Sequence, residues 1–212
     1  SWNKRDNSFV LLALPSDTVI DAVHGYGAYS LEALWKLGEI DKKERNLLRL
    51  SLQEYVGIPI QWYLGRKSLT SNATPSDAKE IAGSLLSVAN FGSYMTKQLL
   101  TNLPIAVFGS FVRSFLLATP DKITTYYLTN QSVIREETIA DGTTVKRLNL
   151  NRFDEVIGHT LDDDTLRNER VSVAIYNTTD FASIGQRVAR LLGHMGIFVV
   201  TVGNDKPEVS TC

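Results

Sequence analysis

The chain has few residues whose types and spacing could do chemistry, and none of them forms a known catalytic motif. The three histidines, His24, His159 and His194, are far apart and lack metal-ligand spacing such as His-x-x-x-His. His194 lies near a predicted helix end, where capping or surface exposure explains it. The run Asp162–Asp164 is consecutive, unlike an EF-hand cage, and Cys212 has no base nearby in sequence. The sequence therefore predicts neither a catalytic residue nor a metal site.

Aromatic residues are concentrated in the first third of the chain. Tyrosine and tryptophan rings can stack on sugar faces, so a glycan-binding groove that includes Tyr26 and Tyr29 is one candidate site. Core packing at helical and strand positions is the simpler explanation for most of these aromatics. The others are Trp2, Trp35, Tyr55, Trp62 and Tyr63.

Composition excludes several classes of protein. The 212 residues carry a net charge of −1 and are 43% hydrophobic and 21% charged, as in an ordinary soluble globular protein. This balance argues against binding to nucleic acid or anionic lipid. A single cysteine allows no intrachain disulfide. The longest apolar run, Leu103–Ala118, contains Pro104 and Arg113 and is too short for a membrane span, so we expect a buried helix.

Apolar patterns along the chain predict alternating strands and helices. A continuous apolar run, Phe9–Leu14, is typical of a buried strand. Gly57 ends a helix that begins with the capping box Asp41–Glu44. Val133–Ile139 and Thr143–Leu148 flank an Asp-Gly turn and predict a hairpin. Further predicted elements are helices beginning at Ser30, Pro75 and Asn102, a strand at Ile123–Leu128 and a short helix within Asp162–Glu169.

The C-terminal segment predicts a strand, one helix and a second strand. Val171, Val173 and Ile175 alternate with small or polar residues, which is the period of a strand. A helical pattern from Ile184 follows and ends at Gly193, before the β-branched run Ile197–Val202. Such βαβ units are almost always right-handed.

Two parts of the chain resemble one family. Asn177-Thr178-Thr179 and Gly196-Ile197-Phe198-Val199 resemble the turn and second strand of the LytR-type C-terminal domain. Residues 12–18, Gly25-Tyr-Gly27 and residues 50–63 resemble segments of the LytR/CpsA/Psr catalytic domain. The resemblance implies an α/β protein: an α/β/α-layered domain with a mixed sheet over residues 1–164, and a small βαβ domain over residues 165–212.

That family binds a polyprenyl-pyrophosphate-linked glycan and transfers it to the cell wall, which requires arginines and a divalent metal. Of the charged positions in the family's phosphate site, Asp17 is the one that this sequence retains. Ser16 replaces an arginine, residues 24–34 contain no lysine or arginine, and the later arginine cluster has no counterpart between Gly65 and Leu166. We therefore predict no catalytic residue and no cofactor. The candidate ligand site consists of Ser16, Asp17, Thr18, Tyr26 and Tyr29, although ordinary turn chemistry at Pro15-Ser16-Asp17 is the simpler explanation for Asp17.

The resemblance implies a non-catalytic binding or scaffold protein of the cell envelope. We expect it to be extracytoplasmic, held by a membrane anchor outside this chain, with wall glycan or an envelope protein as its partner and no nucleic acid. One alternative is an active phosphotransferase using Mg²⁺, in which Arg5, Arg66 or Arg113 converges on Asp17. Another is an unrelated α/β interaction module.

Overall fold

The computed structural model describes residues 1–40, 46–66, 99–129, 133–139, 142–157, 160–161, 164–180 and 182–205. The predicted helix from Pro75, the predicted capping box Asp41–Glu44, and the candidates His159, Asp162–Asp163 and Cys212 lie outside these residues.

Eleven strands are present in the described residues: β1 (Trp2–Asn3), β2 (Ser8–Ala13), β3 (Thr18–Ala22), β4 (Gly27–Ser30), β5 (Leu64–Arg66), β6 (Leu99–Thr101), β7 (Ile123–Tyr127), β8 (Ile134–Thr138), β9 (Thr144–Leu148), β10 (Ser172–Asn177) and β11 (Phe198–Asn204). The α-helices of the same residues are α1 (Leu31–Ile40), α2 (Leu47–Val56), α3 (Ile105–Leu117), α4 (Leu150–Ile157), α5 (Asp164–Glu169) and α6 (Ile184–Gly193). This mixture confirms the predicted α/β fold class.

The N-terminal strand β2 is central to a three-stranded mixed sheet. It pairs antiparallel with β1 and parallel with β7, in the order β1-β2-β7. Helix α3 packs on this sheet through an aromatic cluster, in which Phe9 contacts Phe111 and Phe115 edge-on. The predicted strand is confirmed, with Phe9 and Ala13 buried and the residues between them partly buried. The prediction of a buried helix is wrong for part of α3, because Leu116 and Leu117 are exposed while Phe108 and Phe115 are buried.

A second mixed sheet, in the order β4-β3-β9-β8, positions the candidate site. Strand β3 is antiparallel to β4 and parallel to β9, and β8 and β9 form the predicted hairpin. Ile20 from β3 packs with Leu34 and Leu47 in one hydrophobic core. Leu148 from β9 lies in another, together with Phe153 of α4. Burying these apolar side chains holds the two helices α1 and α2 near β3.

A capping side chain begins helix α1, and a glycine ends helix α2. The Ser30 hydroxyl accepts a hydrogen bond from the Ala33 N–H at 3.2 Å, so Ser30 caps α1 as predicted. This helix continues past Gly38, where the sequence predicted its end, to Ile40, because Gly38 is buried in packed structure. Gly57 ends α2 in the left-handed conformation, with φ +68°.

Strands β10 and β11 form a parallel two-stranded sheet crossed by α6, which confirms the predicted βαβ unit. Gly185 allows the close approach of the helix: a Cβ there would lie 3.0 Å from Cγ1 of Val202. A short antiparallel pair, β5 and β6, stands apart from the other sheets. The division of the chain at residues 164 and 165 stays a prediction. No helix of the described residues is long and apolar enough to cross a membrane.

Candidate functional site

Asp17 lies in the turn that joins β2 to β3. The Thr18 N–H donates to the Pro15 carbonyl oxygen at 3.1 Å, which closes this turn. The exposed Asp17 carboxylate forms an ion pair with Lys146, whose Nζ lies 2.8 Å from Oδ2. The parallel pairing of β3 with β9 places Lys146 there, since Thr18 and Lys146 are partners in the register.

Glu136 adds a second carboxylate to this group, because it is opposite Lys146 in the β8–β9 hairpin. The hydrogen bond to Asp17, the charge of Asp17 and, after an opposing effect of burial, the charge of Glu136 raise the pKa of Lys146. We refer to Asp17, Lys146 and Glu136 as the Lys146 group. It contains two carboxylates and one cation.

Arg147, the next residue of β9, is the centre of another set of ion pairs. Its Nη1 lies 3.3 Å from Oδ1 of Asp21, and its Nε lies 3.6 Å from Oε2 of Glu137. Glu137 is also paired with Arg135, at 3.3 Å. We refer to Asp21, Arg135, Glu137 and Arg147 as the Arg147 group. It contains two carboxylates and two cations.

Tyr55 from α2 borders the Arg147 group. Burial raises the pKa of the Tyr55 phenol, and the Arg147 charge partly opposes this. Arg147 is itself only 18% exposed in its side chain. Burial disfavours its charged form, but Asp21, Tyr55 and Glu137 outweigh burial, so the pKa of Arg147 is raised. Arg147 therefore stays positively charged and is already paired with carboxylates.

The two groups offer no concentrated positive charge. Consecutive strand residues point to opposite faces of a sheet, so Lys146 and Arg147 do not converge on one ligand. In each group the carboxylates equal or outnumber the cations. A diphosphate at either group would meet carboxylates as near as its cationic partners.

The predicted site residues differ in how far a ligand could reach them. Ser16 and Asp17 are exposed at the turn, but Thr18 is 1% exposed and belongs to the interior. Tyr26 is half-buried against the core around Ile20. Tyr29 is 39% exposed and lies on β4.

Two of the arginines proposed for an active enzyme lie on elements other than the β2–β3 turn of Asp17. Arg5 is in the β1–β2 turn, where its backbone N–H donates to Oδ1 of Asn3, and Arg113 is exposed on α3. The side chain of Arg66 lies outside the described residues. The sequence prediction missed Lys146 and Arg147 because their pairing with Asp17 and Asp21 joins residues more than 120 positions apart. The strand pattern of Thr143–Leu148 was the signal that could have placed them in a sheet.

The carboxylates of Asp17 and Asp21 are paired with cations in the described part of the chain. The described residues contain no group of three or more histidine, cysteine or acidic side chains suited to a metal ion.

Comparisons with known proteins complete the description. No family model and no curated protein matches the chain. Among solved structures, TagT bound to LI-WTA has a TM-score of 0.50 and 12% identity, over 73% of this chain and 78% of that chain. TagV of B. subtilis has a TM-score of 0.48 and 11% identity, over 73% and 83%. A transcriptional regulator from Enterococcus faecalis has a TM-score of 0.47 and 11% identity, over 92% and 80%.

The likeness to TagT concerns the fold, since the identity is low. TagT is an enzyme of the LytR-CpsA-Psr family. The chain therefore has the α/β fold of a LytR-CpsA-Psr enzyme, which confirms the resemblance predicted from its sequence.

Proposed function

We propose that this chain is a cell-envelope binding protein that has the LytR-CpsA-Psr fold and does not transfer phosphate-linked glycans. The fold likeness supports the envelope assignment. The ion pairing of Lys146 and Arg147 supports the absence of transfer, and this single observation carries the proposal.

A diphosphate ligand needs a binding site with an excess of positive charge. Its bound state needs cations that are not already neutralised, because each nearby carboxylate repels the phosphate as strongly as an equally distant cation attracts it. Two like charges 4 Å apart repel by about 4 kcal/mol near a protein surface. Neither the Lys146 group nor the Arg147 group has an excess cation that could offset this repulsion.

A neutral or weakly charged glycan has no such requirement. Sugars bind through ring stacking on aromatic side chains and through hydrogen bonds, and Tyr29 offers a partly exposed ring beside the β3 strand. Carboxylates and ammonium groups such as Asp17 and Lys146 can bond to sugar hydroxyls. We therefore propose wall glycan as the ligand, bound at the surface that includes Ser16, Asp17 and Tyr29.

The direct test is a calorimetric binding screen with the purified chain. We expect binding to isolated wall glycan, weakened by Tyr29→Ala, and no tight binding of polyprenyl pyrophosphate with or without Mg²⁺. Tight, Mg²⁺-dependent binding of polyprenyl pyrophosphate would overturn the proposal in favour of the phosphotransferase.

A gain of binding tests the electrostatic argument separately. The double variant Asp21→Asn/Glu137→Gln leaves Arg135 and Arg147 without their carboxylates, so we expect it to bind inorganic pyrophosphate where the parent does not. The matched control is Glu32→Gln/Glu155→Gln, which makes the same change of net charge at two exposed ion pairs elsewhere. Equal pyrophosphate binding by both double variants would show that net charge, and not local pairing, decides affinity.

A further inference from the structure

A buried histidine joins the βαβ unit to the rest of the protein. His194 follows α6 and is 8% exposed. Its Nδ1 lies 2.9 Å from the Gly57 carbonyl oxygen at the end of α2. Its Nε2 lies 3.3 Å from Oδ1 of Asp154 on α4. The predicted surface role of His194 is therefore wrong, although its backbone does cap α6 as the sequence indicated.

Both ring nitrogens of His194 face oxygen atoms, and this arrangement favours the charged imidazolium over the neutral imidazole. A neutral imidazole has one N–H and can donate to Gly57 or to Asp154, but not to both. The imidazolium has two N–H groups, so it donates to the Gly57 carbonyl oxygen and still presents positive charge to Asp154, whose Oδ1 lies 3.3 Å away without a hydrogen-bond partner among the described residues. The Phe153 ring, with its centroid 6.4 Å from that of His194, shields one side of the imidazole.

The other charges at this junction are arranged in pairs. Arg190 Nε lies 3.2 Å from Oδ2 of Asp154, so the carboxylate is shared between Arg190 and His194. Arg187 of α6 is paired with Glu54 of α2 in the same junction. Asp154 and Arg190 are thus the charged groups that face His194, and their effects on its proton have opposite signs.

We propose that His194 is a proton-dependent latch, which holds the βαβ unit against α2 and α4 when the imidazole is charged and loosens it when the proton leaves. This inference is independent of the proposed glycan binding, because the latch lies on different elements from Tyr29 and Asp17.

The direction of the pH dependence follows from the contacts. The Asp154 contact raises the pKa of His194, burial opposes it, and the Gly57 hydrogen bond adds to the increase. A pKa raised on folding contributes stability that is fully present below the unfolded value of about 6.5. That contribution is lost as the pH rises through the folded pKa. The latch is therefore closed in mildly acidic solution and open in alkaline solution.

Hydrogen exchange of the full chain, followed by mass spectrometry across pH 5.5–9.5 and corrected for intrinsic exchange, tests the latch. We expect protection of the α6 amides to fall about tenfold as the histidine deprotonates, as for loss of a charged hydrogen bond. His194→Gln should show no such step, whereas the control His24→Gln should retain it. Asp154→Asn, which keeps the side-chain shape, should move the step to lower pH.

Two results would overturn the latch. One is a parent chain in which α6 protection has no pH step. The other is a step of the same size and position in Asp154→Asn, since removal of the carboxylate must lower the His194 pKa if the latch works as described. If His194→Gln does not fold, the comparison of Asp154→Asn with the parent chain still tests the latch.

Discussion

The Gly57→Ala substitution gives a sharp test of how the βαβ unit meets α2. Gly57 has φ +68° and ψ 32°, a left-handed conformation that costs a residue with a Cβ about 1–2 kcal/mol. A Cβ there would also lie 2.6 Å from Cγ and 2.8 Å from Cδ of Arg190. The Arg190 side chain must then move away from Asp154, and this partly exposed ion pair is worth at most about 1 kcal/mol.

These contributions predict a loss of about 1–3 kcal/mol in the free energy of unfolding. For a chain of this size, each kcal/mol lowers Tm by about 2–4 °C. We expect Tm to fall by about 2–12 °C, measured by circular dichroism, with a matching decrease in the urea midpoint.

Gly109→Ala is the matched control. Gly109 lies within α3, and a Cβ there would contact nothing within 4 Å. Alanine in place of a helical glycine stabilises by about 0.5–1 kcal/mol, so the two substitutions should shift Tm in opposite directions. A Gly57→Ala variant as stable as the parent would refute the reasoning, because it would mean that neither the left-handed backbone nor the Arg190 contact exists in solution.

Three further predictions concern the interior. Phe153→Ala removes a fully buried ring from a core cluster and should cost about 3–5 kcal/mol in urea unfolding, whereas Phe198→Ala, at a ring that is 68% exposed, should cost far less. Ser51→Ala removes the hydroxyl that accepts the Val23 N–H at 3.1 Å and should cost about 1–3 kcal/mol in the same assay; no loss would show that water replaces the bond. The raised pKa of Tyr55 means that stability should fall as the pH rises above 10, and absorbance titration at 295 nm should show one late-ionising tyrosine that Tyr55→Phe removes.

The sequence by itself determined the local elements. The βαβ unit, the β8–β9 hairpin and the left-handed end of α2 at Gly57 each depend on residues close together in the chain, where apolar period and turn chemistry carry the information. The resemblance of residues 12–18 and 50–63 to LytR/CpsA/Psr segments was also enough to predict the fold that TagT shares. Helix α4, with its short polar pattern, was not predicted, because its stability comes from the core that Phe153 enters.

Only the tertiary structure decided the chemistry. The sequence identified Asp17 and found no cations near it, but parallel pairing of β3 with β9 brings Lys146 to Asp17 and Arg147 toward Asp21. Likewise, the sequence places His194 only at the end of a helix. The folded structure shows that its ring lies between the Gly57 carbonyl oxygen and the Asp154 carboxylate. Charge pairing and proton affinity depend on distances of a few ångströms between residues that are far apart in the chain, and only burial of the shared core fixes those distances.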